Sequence, residues 1–274
     1  MTDAGSWLLV DFVCPAGSAD ILAGDLWARG VAAVEEIDNP DGTVTLRTSL
    51  GEDASAGVAD LSRAHPDVLV RPVEIPRSVA DTWRRFVGPT HVTDDVWLVP
   101  EWCGPPAGRT VMVEPFDTFG LGNHPTTVLA LASALGVCRP GDPVMDLGSG
   151  SGVLAVAMAR LVGARVDAHD IAPQAATALA HNARLNGVEG LVSWRDALGP
   201  ADAGRYGLVI ANILAPVLRE LSTDIMRATL RGGHIVLSGM RTEQVTSVTG
   251  SYTDCTEIDR RELDGWSAVV LRRD

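Results

Sequence analysis

Asp146 stands two residues ahead of glycines spaced G-x-G-x-G, at Gly148, Gly150 and Gly152. The run Val144-Met145-Asp146-Leu147-Gly148-Ser149-Gly150-Ser151-Gly152-Val153-Leu154-Ala155 reads as a short apolar strand, a turn and the start of a helix. Without Cβ atoms the turn can be tight, and a ligand can come close to its backbone. Asp170 follows a second candidate strand and lies 22 residues after Gly148. That is about the ~20-residue spacing at which an acid meets ribose hydroxyls in nucleotide-binding βαβ units. Glycines alone would equally serve the packing of a buried strand-turn-helix. The two acids beside them favour a nucleoside ligand.

Residues 153–161 continue as an apolar, alanine-rich helix, and residues 165–169 form the strand that ends at Asp170. A third short strand precedes Asp196. Upstream, Thr126 or Thr127 can cap a helix over 128–135 or hydrogen-bond a ligand. His124, in a loop before Pro125, reads as a capping or packing residue rather than a general base. The front of the chain predicts strands over 7–13, 31–37, 43–48 and 68–75. Helices are expected up to residue 29 and over 51–64, with a turn at Asp38-Asn39-Pro40-Asp41-Gly42. The order β-α-β-β-α-β is that of a ferredoxin-like fold. The expected organisation is therefore a small α+β recognition domain over 1–76, a linker helix within 77–95 and an α/β domain over 96–274.

The 274 residues are 46% hydrophobic and 21% charged, which suits a globular chain with a real core. No apolar run approaches the ~18 residues of a membrane span, and no secretory leader is visible at the start. Cys14, Cys103, Cys138 and Cys255 are far apart, so neither a disulfide nor a metal site is expected, and a reducing cytoplasm fits. All 22 basic residues are arginine, which removes any Schiff-base lysine. The net charge of -13 argues against a surface that wraps nucleic acid and suits a basic protein partner. Residues 1–90 hold 14 acids and 7 arginines, against 21 and 15 in the rest, so the front is the more acidic part per residue.

The G-x-G-x-G turn resembles the nucleoside-binding turn of class I methyltransferases, which bind S-adenosylmethionine, a ligand with no pyrophosphate to cradle. Phe119-Gly120-Leu121-Gly122-Asn123-His124-Pro125-Thr126-Thr127 is similar to the F-G-T-G-T-H-P-T-T loop of the PrmA family, the methyltransferases of large-subunit ribosomal protein eleven. Val209-Ile210-Ala211-Asn212-Ile213-Leu214-Ala215 resembles that family's V-A-N-I-L-A strand end. The block from Gly232-Gly233 to Leu237-Ser238-Gly239 resembles its G-G-x-x-x-L-S-G. The motifs fall in the family's order between about residues 97 and 248.

The resemblance implies a Rossmann-like class I methyltransferase domain behind the ferredoxin-like one. It further implies transfer of methyl groups from S-adenosylmethionine to lysine side chains, and to the N-terminal amine, of a basic ribosomal protein. Thr127 matches the loop threonine that contacts the cofactor, Gly148 the glycine beside the methionine part, and Asp170 the acid that binds ribose. Asn212 matches the asparagine near the methionine and the acceptor amine, and is the expected catalytic residue. Asp196 follows its strand where such acids meet the adenine amino group; a solvated loop acid is the alternative. Asp146, Gly150 and Gly152 complete the expected cofactor set. Leu121 and Asn123 stand where the family has threonines, which leaves another protein or a small molecule open as acceptor. A nicotinamide oxidoreductase is disfavoured by the glycine spacing. A non-catalytic module that binds the cofactor and docks on ribosomes would differ by lacking turnover.

Overall fold

A computed structural model describes residues 6–28, 31, 34–50, 54–76, 84, 87–93, 95–116 and 118–274. The chain divides into two compact units, residues 1–87 and 88–274.

The smaller unit runs β1 (Ser6–Pro15), α1 (Ala19–Ala28), β2 (Val34–Asp38), β3 (Thr43–Thr48), α2 (Ala54–Ala64) and β4 (Leu69–Pro76). Its sheet has the order β2-β3-β1-β4, with every neighbouring pair antiparallel, the ferredoxin-like arrangement. Strand alternation turns Val10, Phe12 and Cys14 of β1 and Val44 and Leu46 of β3 into a core with Leu22, Leu26 and Leu61 of the helices. The alternate residues line the other face. There Arg47 holds Asp11 through two bonds of 2.7 and 2.9 Å and lies 3.7 Å from Glu35. The linker helix expected after this unit falls largely on residues outside the described ones.

The larger unit opens with a three-stranded sheet of β5 (Thr90–Thr93), β6 (Val96–Pro100) and β7 (Arg109–Val113), in which β6 and β7 are parallel. Residues 90–93 therefore form a strand inside the stretch that the pattern assigns to a linker. Then follow α3 (Pro125–Val137), β8 (Pro143–Leu147), α4 (Val153–Val162), β9 (Arg165–His169), α5 (Ala175–Leu185), β10 (Val192–Trp194) and β11 (Tyr206–Asn212). Two short helices, α6 (Ala215–Glu220) and α7 (Ser222–Ala228), lead to β12 (Thr229–Arg241), α8 (Val245–Thr249), β13 (Cys255–Leu263) and β14 (Trp266–Arg273).

The central sheet has the order β10-β9-β8-β11-β12-β14-β13. The first five strands are parallel, and β14 runs antiparallel to both its neighbours. This is a Rossmann-like sheet, in the order that the resemblance implies. Inner strands such as β8 and β11 are buried on both faces, so neighbouring residues serve opposite cores. Leu208 and Ile210 of β11 face α3, α4 and α5, whereas Val209 and Ala211 face α6, α7 and α8. Strand order reverses between β8 and β11, and ligands of such sheets sit beyond the carboxyl ends of the strands at that crevice. Among the described residues, no helix is long and apolar enough to cross a membrane.

Candidate functional site at the carboxyl edge of the sheet

The strand ends gather the expected cofactor residues at this edge: the glycine turn follows β8, Asp170 follows β9, Asp196 follows β10 and Asn212 ends β11. The turn is stitched down through its main chain. The N–H groups of Gly148 and Ser149 donate to His169 O at 2.8 and 3.0 Å. A Cβ on Gly148 would overlap Ile213, the neighbour of Asn212, and one on Gly152 would overlap Leu179. The missing side chains therefore also let the turn pack against the protein.

Asp146 is buried beneath the turn. Its Oδ2 accepts the N–H of Ala155 at 2.9 Å, in the first turn of α4, while Oδ1 accepts nothing from the described residues. Burial pushes this carboxyl up to about 7; the Ala155 N–H opposes the shift and nearby Asp170 adds to it. An unfolded aspartate titrates near ~4. Between those values the folded state binds the extra proton, so this group's contribution to stability is fully present below pH ~4 and is lost as pH rises to about 7, a change of at most about 4 kcal/mol. Asp146→Asn is expected to flatten this slope. Its unfolding free energy relative to the unmodified chain should rise between pH 4.5 and 7.5 in denaturant titrations, approximate test points set by those titration limits. A constant difference would defeat the prediction.

Asp170 is half-buried. Its Oδ2 accepts the N–H of Gly150 at 2.7 Å and its Oδ1 that of Ala172 at 2.8 Å. Each oxygen keeps a lone pair for a further donor. Asp196 is exposed.

Asn212 faces the start of α3. Its Nδ2 donates to Thr127 Oγ1 across 3.5 Å, a long bond, and its Oδ1 is buried with no donor among the described residues. A buried carbonyl without a donor costs about 1–3 kcal/mol. Thr127 is fully buried. Ser238, paired in register with Asn212, donates its hydroxyl to Thr126 O at 3.0 Å and fixes the helix start over the strand ends.

The threonines do not cap α3. His124 does, its Nδ1 accepting the Thr126 N–H at 3.3 Å and lying 2.8 Å from that residue's hydroxyl, with Pro125 in the first helical position. Burial lowers the pKa of His124, with the positive charge of Arg241 adding to the effect, so the ring stays neutral and accepting. It packs edge-on to Phe119 at 5.7 Å and to Trp266 at 4.9 Å, and Arg241 lies 4.0 Å over the Trp266 ring. His124→Asn keeps an N-cap acceptor. It should keep turnover within about threefold, where loss of a general base would cost ~10²–10⁴-fold.

The loop before α3 meets the turn by main-chain groups. Ser151 N–H donates to Phe119 O at 2.8 Å, and Ser151 Oγ to Gly120 O at 2.6 Å. Leu121 is half-buried, Asn123 exposed. Two residues that sequence reasoning passed over, Asn182 on α5 and Asn186 at its C-cap, tie this region to β7.

The model of the family described as Ribosomal protein L11 methyltransferase (PrmA) matches residues 76–274. The chain is 35% identical over 271 residues to the Ribosomal protein L11 methyltransferase of Thiobacillus denitrificans, covering 98% of this chain and 87% of that one. The chain belongs to the ribosomal protein L11 methyltransferase (PrmA) family. A second PrmA relative, from Geobacter sulfurreducens, is 32% identical over 302 residues, covering 98% of both chains. The crystal structure of ribosomal protein L11 methylase from Lactobacillus delbrueckii subsp. bulgaricus is similar with a TM-score of 0.62 and 26% identity, over 69% of this chain and 98% of that one. PrmA membership agrees with the seven-stranded order and removes the oxidoreductase reading.

Proposed function

We propose that this chain is an S-adenosylmethionine-dependent methyltransferase that methylates lysine side chains of large-subunit ribosomal protein eleven, with its N-terminal amine as a second acceptor. The observation that carries the reading is the buried Oδ1 of Asn212, with no donor among the described residues, beside Thr127 and the glycine turn. The residues present fit the cofactor. Asp170 offers two oxygens to ribose hydroxyls, the turn offers bare backbone to the methionine part, and Asp196 is open to the adenine amino group. Asp146 Oδ1 and Ser149 Oγ add further buried polar atoms without partners among the described residues.

When bound, S-adenosylmethionine supplies a methyl on a sulfonium, whose leaving thioether is neutral and needs no proton. The protein's own work is positioning, worth several kcal/mol when nucleophile and methyl are held in line. Asn212 Oδ1 accepts an N–H of the acceptor amine and aims its lone pair. As a neutral carbonyl, it favours the ammonium less than a carboxylate would, so the amine can lose its proton to water before attack. The unit of residues 1–76 recognises the acceptor, and its acidity suits a basic partner with no call on nucleic acid. The cytoplasm is the compartment that this substrate implies.

The test incubates purified protein with labelled S-adenosylmethionine and isolated ribosomal protein eleven, read by intact mass. Gains in steps of one methyl group support the proposal. Cofactor binding by calorimetry without any gain would overturn the acceptor and send the search to other proteins that bind residues 1–76.

A further inference from the structure

Asn182 is buried in the middle of α5, and both of its N–H groups and its oxygen are engaged. Oδ1 accepts the N–H of Glu114 at 2.9 Å, while Nδ2 donates to Glu114 O and to Ser151 O, each at 2.9 Å. Asn186, one helical turn on, treats Met112 alike: it accepts the N–H and donates to the C=O, both at 2.8 Å. Met112 and Glu114 are alternate residues, so these main-chain groups point away from β6 along the free edge of β7. Each asparagine thus stands in for one residue of a missing strand. They differ in the third bond. Asn186 donates it to Asn182 O within the helix, whereas Asn182 donates it to the glycine turn.

We propose that Asn182 is a positioning residue for the cofactor site: it sets the spacing between the glycine turn and the loop that leaves β7 toward α3. Ser151 is then clamped from two sides: its carbonyl accepts from Asn182, which in turn holds the main chain of Glu114, and its N–H donates to Phe119 O. The inference rests on the reading that this turn holds S-adenosylmethionine.

Asn182→Asp keeps shape and the Oδ1 acceptor but sets an oxygen against two buried carbonyls. Asn186→Asp is the matched control, breaking the same kind of bonds without touching the turn. Calorimetry with S-adenosylhomocysteine is expected to show about tenfold or weaker binding for Asn182→Asp, and binding within about twofold for Asn186→Asp, although both lower the melting temperature similarly. In turnover, Asn182→Asp should raise KM for S-adenosylmethionine and leave KM for the protein acceptor unchanged. Equal cofactor affinity in the two variants, or unmodified affinity in Asn182→Asp, overturns the inference alone. An unmodified protein that binds no S-adenosylhomocysteine overturns the functional reading and this inference with it. If Asn182→Asp does not fold, hydrogen exchange in the unmodified protein decides. The cofactor should slow the Glu114 amide together with those of Gly150 and Ser151 and leave the Met112 amide alone; an unaffected Glu114 amide counts against the clamp.

Discussion

Asn212→Ala should lower turnover at saturating cofactor by about 10²–10³-fold, the range seen when one preorganised hydrogen-bonding group at a reacting centre is removed. Cofactor affinity should change only a few-fold, because the one bond lost within the protein is the 3.5 Å contact to Thr127. Asn212→Asp is the sharper variant. Its carboxylate would hold the acceptor as an ammonium, whose nitrogen has no lone pair to attack, so it should be as slow as alanine despite its near-identical shape. Single-turnover mass measurements with labelled cofactor check both. Full turnover in either would remove Asn212 from the mechanism.

Gly150→Ala should weaken cofactor binding by at least about a hundredfold, through strain and collision at one position. Gly150 has φ +54, in the left-handed region that costs a residue with a Cβ about 1–2 kcal/mol. Its new Cβ would overlap the main-chain oxygen of Phe119, which cannot rotate aside. The turn cannot swing the other way either, since Asp170 holds the Gly150 N–H at 2.7 Å. The loop of Phe119 and Gly120 must therefore lift away. Gly163→Ala is the comparison: φ is +71, but among the described residues nothing lies within 4 Å of its Cβ. It should cost stability, a drop of about 2–8 °C in melting temperature, and leave calorimetric cofactor affinity intact. Equal affinities in the two variants would show that the contact between turn and loop does not govern binding.

The parts legible in the sequence were those whose signal is local. Thr43–Thr48 and Arg165–His169 read residue for residue, because short alternating or apolar runs bounded by glycine, proline or acids leave little choice. The glycine turn and its acids were legible for the same reason. By contrast, β13 is exposed along almost its whole length and carries no alternation; its extended state comes from pairing with β14, which its own residues do not announce. The start of α3 was misplaced by three residues. Of the residues that could cap it, Thr126, Thr127 and His124, it is His124 that does, because Pro125 takes the first helical position and puts both threonines inside the helix. Asn182 was hidden altogether. Its partners Glu114 and Ser151 lie 68 and 31 residues away, and an asparagine inside an amphipathic helix looks like surface until the strand edge beside it is seen.

The loop of Phe119 and Gly120 is fastened to the glycine turn by main-chain oxygens, with a serine of the turn as donor. Side chains at positions 121 and 123 are thus spared from holding the loop in place. Substitutions at the two positions are therefore expected to leave that fastening, and with it calorimetric cofactor affinity, unchanged. A small library at Leu121 and Asn123, screened against several basic proteins, then reads any change of acceptor apart from damage to the cofactor site.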